Sequence, residues 1–309
     1  MNNKIRLKIY SFYRFKKINK KKQLKLELDK FIKNKTIRGT VLIAKEGING
    51  AISGSPQDLD EVLIFIKKKL NIRKLYLKIN EVKYLPFNRI KIRIKKEIIS
   101  LGIKNFSVNK YLSKYIHPKS WNKFIQKKNV KVIDIRNIYE ISTGKFKYSI
   151  APDTKTFREF PNKFENLGIN KKDKIAMYCT GGIRCEKAAS YLNSKGYNNV
   201  YQLEGGILNY LKYKKKYKRN NLWKGECFVF DDRVTVKKNL KQGNYFQCHG
   251  CRRPLKAKDK KSIKYIPGVS CSYCYYERTK VQKERSFMRL SQIKKYEEKG
   301  LPSVFRKIR

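Results

Sequence analysis

The sequence predicts a multidomain chain that joins an α+β unit, a parallel α/β unit and a small cysteine-rich module. Three observations predict it. A length of 309 residues allows about two domains of ~150 residues, or three smaller ones. Strand-like and helical apolar periods alternate from residue 7 to about residue 215. Beyond Leu222 they give way to short strands, turns and two Cys-x-x-Cys pairs. The units are expected at 1–100, 117–215 and 222–309, the last carrying a basic tail. With 40% hydrophobic and 13% aromatic residues the chain has material for buried cores, which excludes wholesale disorder.

The first unit opens with LKIYSFYRF (7–15), which alternates as a strand. QLKLELDKFIKN (23–34) spaces Leu24, Leu28, Phe31 and Ile32 along one helical face. RGTVLIA (38–44) is a short apolar strand, and the glycines of GINGAISGS (47–55) mark a sharp turn and a further strand. Ser55 and Pro56 stand as N-cap and first residue of a helix running to Leu70. Strands near 73–79 and 90–96 close the unit. The order is βαββαβ, the split βαβ or ferredoxin-like pattern.

The second unit begins near His117-Pro118. NVKVIDIR (129–136) and KIAMYC (174–179) have apolar centres, as parallel strands covered on both faces require. Helices are expected near 155–166, over 184–195 and from about 206, with a strand over 198–203. That alternation gives a parallel sheet. KYKKKYKR (212–219) reads as a solvated helix end and linker, and a basic helix follows from about 280. No internal repeat is present.

Lys and Arg total 76 against 24 Asp and Glu, a formal charge of +52 that points first to polyanions. The composition has a second source, however. The 58 Lys far exceed the 18 Arg, and the 33 Ile exceed the 13 Val. Both biases follow A/T-rich codons, whereas selection for phosphate binding favours the bidentate fork of Arg. The charge alone therefore assigns no function. The first fifteen residues lack the apolar run and cleavage site of a secretory signal, and no run reaches the ~20 residues of a spanning helix. Seven cysteines, four of them in Cys-x-x-Cys pairs, suit metal or thiol chemistry in a reducing compartment. A cytoplasmic protein with no membrane partner is expected, and no protein partner is indicated.

The most informative stretch is Cys179-Thr180-Gly181-Gly182-Ile183-Arg184-Cys185. It falls at the carboxyl end of a buried parallel strand and before a helix, where open α/β sheets place their ligand crevices. The glycines let backbone N–H groups turn toward the Cys179 sulfur, and the helix N-terminus favours an anion there. A thiolate or persulfide at Cys179 is expected to be reactive near neutral pH. Arg184 closes the loop and adds charge. Cys185, in the first helical turn, either serves as a redox partner or packs inward. Cys227 in GECFVF is expected to be a core thiol, and Trp121, Tyr139 and Trp223 core or interface aromatics.

Cys-x-x-x-x-Arg after a buried strand, with VIDIR (132–136), Glu140 and Gly144 ahead of it, resembles the rhodanese domain. AKEGING (44–50), CTGGIRCEKA (179–188), LEGGI (203–207), GECFVFDDRV (225–234) and CHGCRRPL (248–255) extend the likeness. Together they resemble the rhodanese-domain tRNA uridine hydroxylases, the TrhO family, from about residue 5 to 285. The resemblance implies a tRNA partner, oxygen-dependent 5-hydroxylation of the wobble uridine, and Cys179 as the essential cysteine. It also implies molecular oxygen as co-substrate. The chain carries no flavin or haem motif, and its only histidines, His117 and His249, do not stand at a recognisable spacing for an iron triad of two His and a carboxylate, so the electron donor is unassigned. The same loop suits a sulfurtransferase that carries a persulfide from thiosulfate or into tRNA thiolation. A non-catalytic RNA-binding scaffold would have no use for the intact Cys179 and Arg184.

Cys248 and Cys251, then Cys271 and Cys274 after nineteen residues, have the spacing of a four-cysteine zinc ribbon. A structural zinc is expected; the alternative is four reduced thiols in a packed module. His249, inside the first pair, is excluded as a ligand by the four thiolates. RNA contacts are expected from Arg252, Arg253, Lys261, Lys264 and the aromatic-basic run Tyr273–Arg278. Lys45 and Glu46 are expected on the substrate side.

Overall fold

The computed structural model describes residues 7–103, Phe106, Val108, 114–217 and 220–300. Its first layer is a five-stranded sheet built from β1 (Leu7–Phe15), β2 (Arg38–Ala44), β3 (Gly47–Gly54), β4 (Tyr76–Val82) and β5 (Ile90–Ile94). The order is β4-β1-β3-β2-β5; every pair is antiparallel except β2 with β5. Helices α1 (Lys21–Ile32) and α2 (Pro56–Leu70) cover one face through Leu24, Leu28, Val62 and Ile66. Ser55 caps α2 as its sequence predicts, accepting a 3.1 Å hydrogen bond from the Asp58 N–H. The opposite face is not left to solvent. Tyr13, Phe15 and Ala44 pack there with Ile98 and Val108, while Ile183 of the second unit sits against the same cluster. Both strands expected near 73–79 and 90–96 are present, one more than the four-stranded ferredoxin-like order holds, and β4 begins at Tyr76, three residues later than the apolar pattern places it.

The second layer holds β6 (Lys114–Ile116), α3 (Pro118–Ile125), β7 (Val130–Asp134), α4 (Ile138–Ile141), β8 (Gly144–Phe146) and β9 (Ser149–Ile150). Then come a 3-10 turn (Phe157–Glu159), α5 (Phe160–Glu165), β10 (Lys174–Tyr178), α6 (Ile183–Ser194), β11 (Val200–Leu203) and α7 (Gly206–Tyr217). The sheet runs β6-β11-β10-β7-β9 and is parallel throughout. The central strand β10 shows why its sequence is uniformly apolar. Ile175 and Met177 enter one core with Phe160 and Ala188, while Ala176 and Tyr178 enter the other with Trp121 and Ile207. The single helix expected near 155–166 divides at Phe160-Pro161, where proline opens α5 because it cannot donate within a continuing helix.

The chain beyond residue 220 has two characters. β12 (Trp223–Gly225) pairs with β8, and β13 (Cys227–Phe228) with β14 (Thr235–Val236); Trp223, Cys227 and Val236 join the α/β core. Cys227 and both tryptophans are fully buried, as expected of core residues. Farther on, β15 (Phe246–Gln247) pairs with β16 (Pro254–Leu255), around a separate small core of Leu255 and the four clustered cysteines. A second 3-10 turn (Ala257–Lys261) leads toward α8 (Lys280–Glu298), which Thr279 and Gln282 cap reciprocally. No helix among the described residues is long and apolar enough to cross a membrane.

Candidate active site

Cys179 follows the last residue of β10, and α6 begins four residues later. Gly182 links the two with φ +98°, a backbone that an L side chain adopts only under strain. Its N–H lies 3.0 Å from the Cys179 sulfur. The loop is seated on a second glycine turn. Ile207 and Leu208 donate to the carbonyls of Cys179 and Thr180, at 3.0 and 3.3 Å. A Cβ on Gly206 would lie 2.4 Å from the Cys179 carbonyl oxygen, so LEGGI needs glycine where the two loops meet.

Cys179 is 1% exposed. Burial by itself raises a thiol pKa, yet Cys179 is held well below the ordinary range. Its partners cause the reversal: the Cys185 thiol donates to it, Arg184 adds positive charge, and the backbone N–H groups of Cys185 and Gly182 point at it. Cys185 moves the other way, driven up by burial and by its bond to Cys179. The two sulfurs are thus pushed in opposite directions. Arg184 is held in turn by Glu140, through paired bonds of 2.6 and 2.7 Å in a buried site. Glu140 also closes the α4 capping box with Asn137, which fixes the carboxylate before the arginine meets it.

Lys78 reaches this loop from the other layer. It projects from β4, and its ammonium donates to the Gly181 carbonyl. Burial pushes it down to about 8, against the pull of the Cys179 charge. Tyr13 of β1 stacks on Tyr76 at 4.9 Å and donates 3.0 Å to Glu186 on α6. Both layers therefore build one site.

Cys179, Thr180, Gly181, Ile183 and Arg184 open onto a cleft of about 750 Å³ between the two sheets and the C-terminal module. From the N-terminal layer come Tyr76, Lys78 and Asn80 of β4 and Arg89 just before β5; Tyr139 comes from the α/β layer. Phe230, Arg233, His249, Arg252 and Arg289 come from the C-terminal region. Of the arginines expected to meet RNA, Arg252 lines this cleft, whereas Arg253 is bound to Glu277 and the Tyr273 carbonyl. Glu46 does not line this cleft. It holds Lys187, at 2.7 Å, and accepts from the Ile98 N–H. Lys78 escapes sequence reasoning because nothing separates it from 57 other lysines; Phe230 lies within a motif already noticed, with its side chain's exposure the missing signal.

The four sulfurs of Cys248, Cys251, Cys271 and Cys274 lie within 4.8 Å of one another. Three of the separations are 3.8 Å. A tetrahedral zinc with bonds of about 2.3 Å spaces its thiolates about 3.8 Å apart. The donor set fits that ion, and His249 turns to the cleft instead.

Comparison with known proteins finds two family matches along the chain. Residues 7–98 match a family described as UPF0176 acylphosphatase like domain, and residues 117–213 match the rhodanese-like domain. The tRNA uridine(34) hydroxylase of Pelagibacter ubique is 47% identical over 300 residues, covering 97% of this chain and 98% of that protein. That of Teredinibacter turnerae is 41% identical over 293 residues, covering 94% and 91%. Among solved structures, a rhodanese-related protein from Thermoplasma volcanium aligns at 24% identity and a TM-score of 0.27, covering 32% of this chain and 92% of that one.

Proposed function

The chain belongs to the tRNA uridine(34) hydroxylase family, and from that premise we propose that it hydroxylates the wobble uridine of tRNA with Cys179 acting on the base. It is a tRNA-modifying oxidoreductase. The observation that carries the role of Cys179 is a buried thiolate, held by Gly182, Arg184 and Cys185, on the wall of a cleft large enough for a nucleotide.

The chemistry follows from that thiolate. Carbon C6 of uracil is conjugated to the C4 carbonyl and accepts a sulfur nucleophile. Addition of Cys179 moves the C5–C6 electron pair onto C5 and the carbonyl oxygen. C5 then attacks a peroxide-level oxidant, formed from molecular oxygen and two electrons of a donor; a C5–O bond forms, the O–O bond breaks, and water leaves. Loss of the C5 proton expels the thiolate and restores the double bond as 5-hydroxyuridine. Lys78 supplies a positive charge beside the loop for the enolate oxygen. Arg89, Arg252 and Arg289 face the cleft and meet phosphates of the anticodon loop. Cys248, Cys251, Cys271 and Cys274 would hold a structural zinc, which supplies folding energy to the module that carries Arg252. A tRNA substrate puts the reaction in the cytoplasm.

Nucleosides from tRNA of cells lacking the protein test the reading. 5-Hydroxyuridine and its derivatives should disappear, return with the wild type, and stay absent with Cys179→Ala. Wild-type levels with Cys179→Ala would end the proposed chemistry. Rapid thiosulfate-to-cyanide sulfur transfer, with 5-hydroxyuridine untouched and thiouridine lost, would instead mark a sulfur carrier.

A further inference from the structure

Phe230 is the most exposed large apolar side chain in a cleft that Tyr76, Phe87 and Tyr139 also line. Its side chain is 62% exposed, although Phe228, two residues earlier, is buried. The ring meets Phe228 edge-on at 5.2 Å, and the Arg184 guanidinium carbon lies 5.9 Å from its centre. Phe230 and the Cys179 loop thus line the same cleft, with Arg184 between the ring and the cradle's buried carboxylate Glu140. Water contact on a large apolar ring is unfavourable, so something must hold it there.

The turn between β13 and β14 does so. Val229 donates to the Val234 carbonyl at 2.9 Å, and Val234 to Asp231 at 3.0 Å. Arg233 and Asp231 close a buried pair of bonds at 2.8 and 2.7 Å across the same turn. Asp232 is tied to the Pro86 carbonyl of the N-terminal layer at 3.0 Å. Val234 has φ +62°, a left-handed backbone that a β-branched residue adopts only under strain. A strained, doubly anchored turn that exposes one ring has a function for that ring.

We propose that Phe230 is the stacking platform for the target uracil, holding the base flat against its ring while Cys179 faces C6. The inference rests on the hydroxylase reading above and adds a substrate-positioning residue to it. A pyrimidine stacks on an aromatic face without needing hydrogen bonds to it, and single-stranded bases are commonly bound this way. The guanidinium of Arg184, on the cradle side, limits how far the base can slide.

An anticodon stem-loop RNA with uridine at the wobble position is the probe. Phe230→Ala should raise its KM roughly tenfold while kcat stays within about twofold. Phe230→Trp should keep wild-type KM and supply a reporter, because Trp121 and Trp223 are both fully buried. Mixed without oxygen, the stem-loop should quench the emission of the Phe230→Trp protein; the same RNA lacking the wobble base should not. The inference is overturned if Phe230→Ala matches the wild-type KM, or if the abasic RNA quenches equally. It is also overturned if Phe230→Ala lowers Tm by more than a few degrees, since the ring would then be structural. A wild type that leaves the RNA unhydroxylated would sink the parent reading, whereas quenching is read without turnover.

Discussion

At the scale of single residues, two cations beside Cys179 do different work. Arg184 is committed to Glu140 in a buried pair, and truncating either partner should cost about 3–5 kcal/mol by leaving the other charge uncompensated. Lys78 donates to the Gly181 carbonyl, a neutral acceptor, so burial carries it down to about 8. The sign is set by that direction: the ammonium is present below about pH 8 and lost above it. Cys179 is held below the ordinary thiol range, against its burial, by the Cys185 thiol and the Arg184 charge. The kcat/KM profile should therefore fall on its alkaline side at about pH 8. Lys78→Arg should carry that fall beyond about pH 10, because a guanidinium keeps its proton. Lys78→Met should be slower at neutral pH with no such limb. A wild-type profile that stays level to about pH 9.5 would remove Lys78 from the mechanism.

At the scale of elements, a sequence motif is readable where the element closes on itself. Cys179 to Arg184 is such a case: the strand end, the φ +98° glycine and the helix start are consecutive residues. The four-cysteine cluster is another, since the two pairs and their separation state a donor set before any coordinates exist. Purified protein should hold about one zinc per chain, and Cys248→Ser with Cys271→Ser should release it and lower the unfolding temperature. Less than about a tenth of an equivalent in the wild type would refute the site. Elements whose partners are distant were less legible. α4 has four residues, too few for an apolar period, and its identity depends on Glu140 meeting an arginine 44 residues away. β4 slipped by three residues because its exposed alternate positions leave the apolar pattern little to count. Glu46 lies in a glycine-rich turn that invites a ligand reading, but its partner Lys187 is 141 residues on.

At the scale of the whole molecule, the site exists because two layers are docked, and Lys187 is the fastening. It projects from α6, the helix that begins at the Cys179 loop, and is 1% exposed. Its ammonium reaches Glu46 at 2.7 Å, Glu97 at 2.6 Å and the Ile99 carbonyl at 2.9 Å. Two carboxylates of the N-terminal layer thus converge on one cation of the α/β layer. Removing the cation leaves them facing each other across a partly buried seam, which costs far more than the pair is worth in water. Lys187→Met should lower stability by about 3–5 kcal/mol in urea unfolding. It should also slow turnover, since Lys78, Tyr76 and Asn80 enter the cleft from the layer that Lys187 holds. Amide exchange gives the readout that separates undocking from general unfolding: Ile98 and Leu101, which donate to Glu46 and Glu97, should lose protection while β10 keeps its own. Adding Glu46→Gln to Lys187→Met should return part of the stability, because the like-charge contact is then gone. If exchange at Ile98 and Leu101 and turnover both match the wild type, docking does not depend on Lys187. The apolar seam of Tyr13, Phe15, Ala44 and Ile183 would then hold the two layers in register by itself.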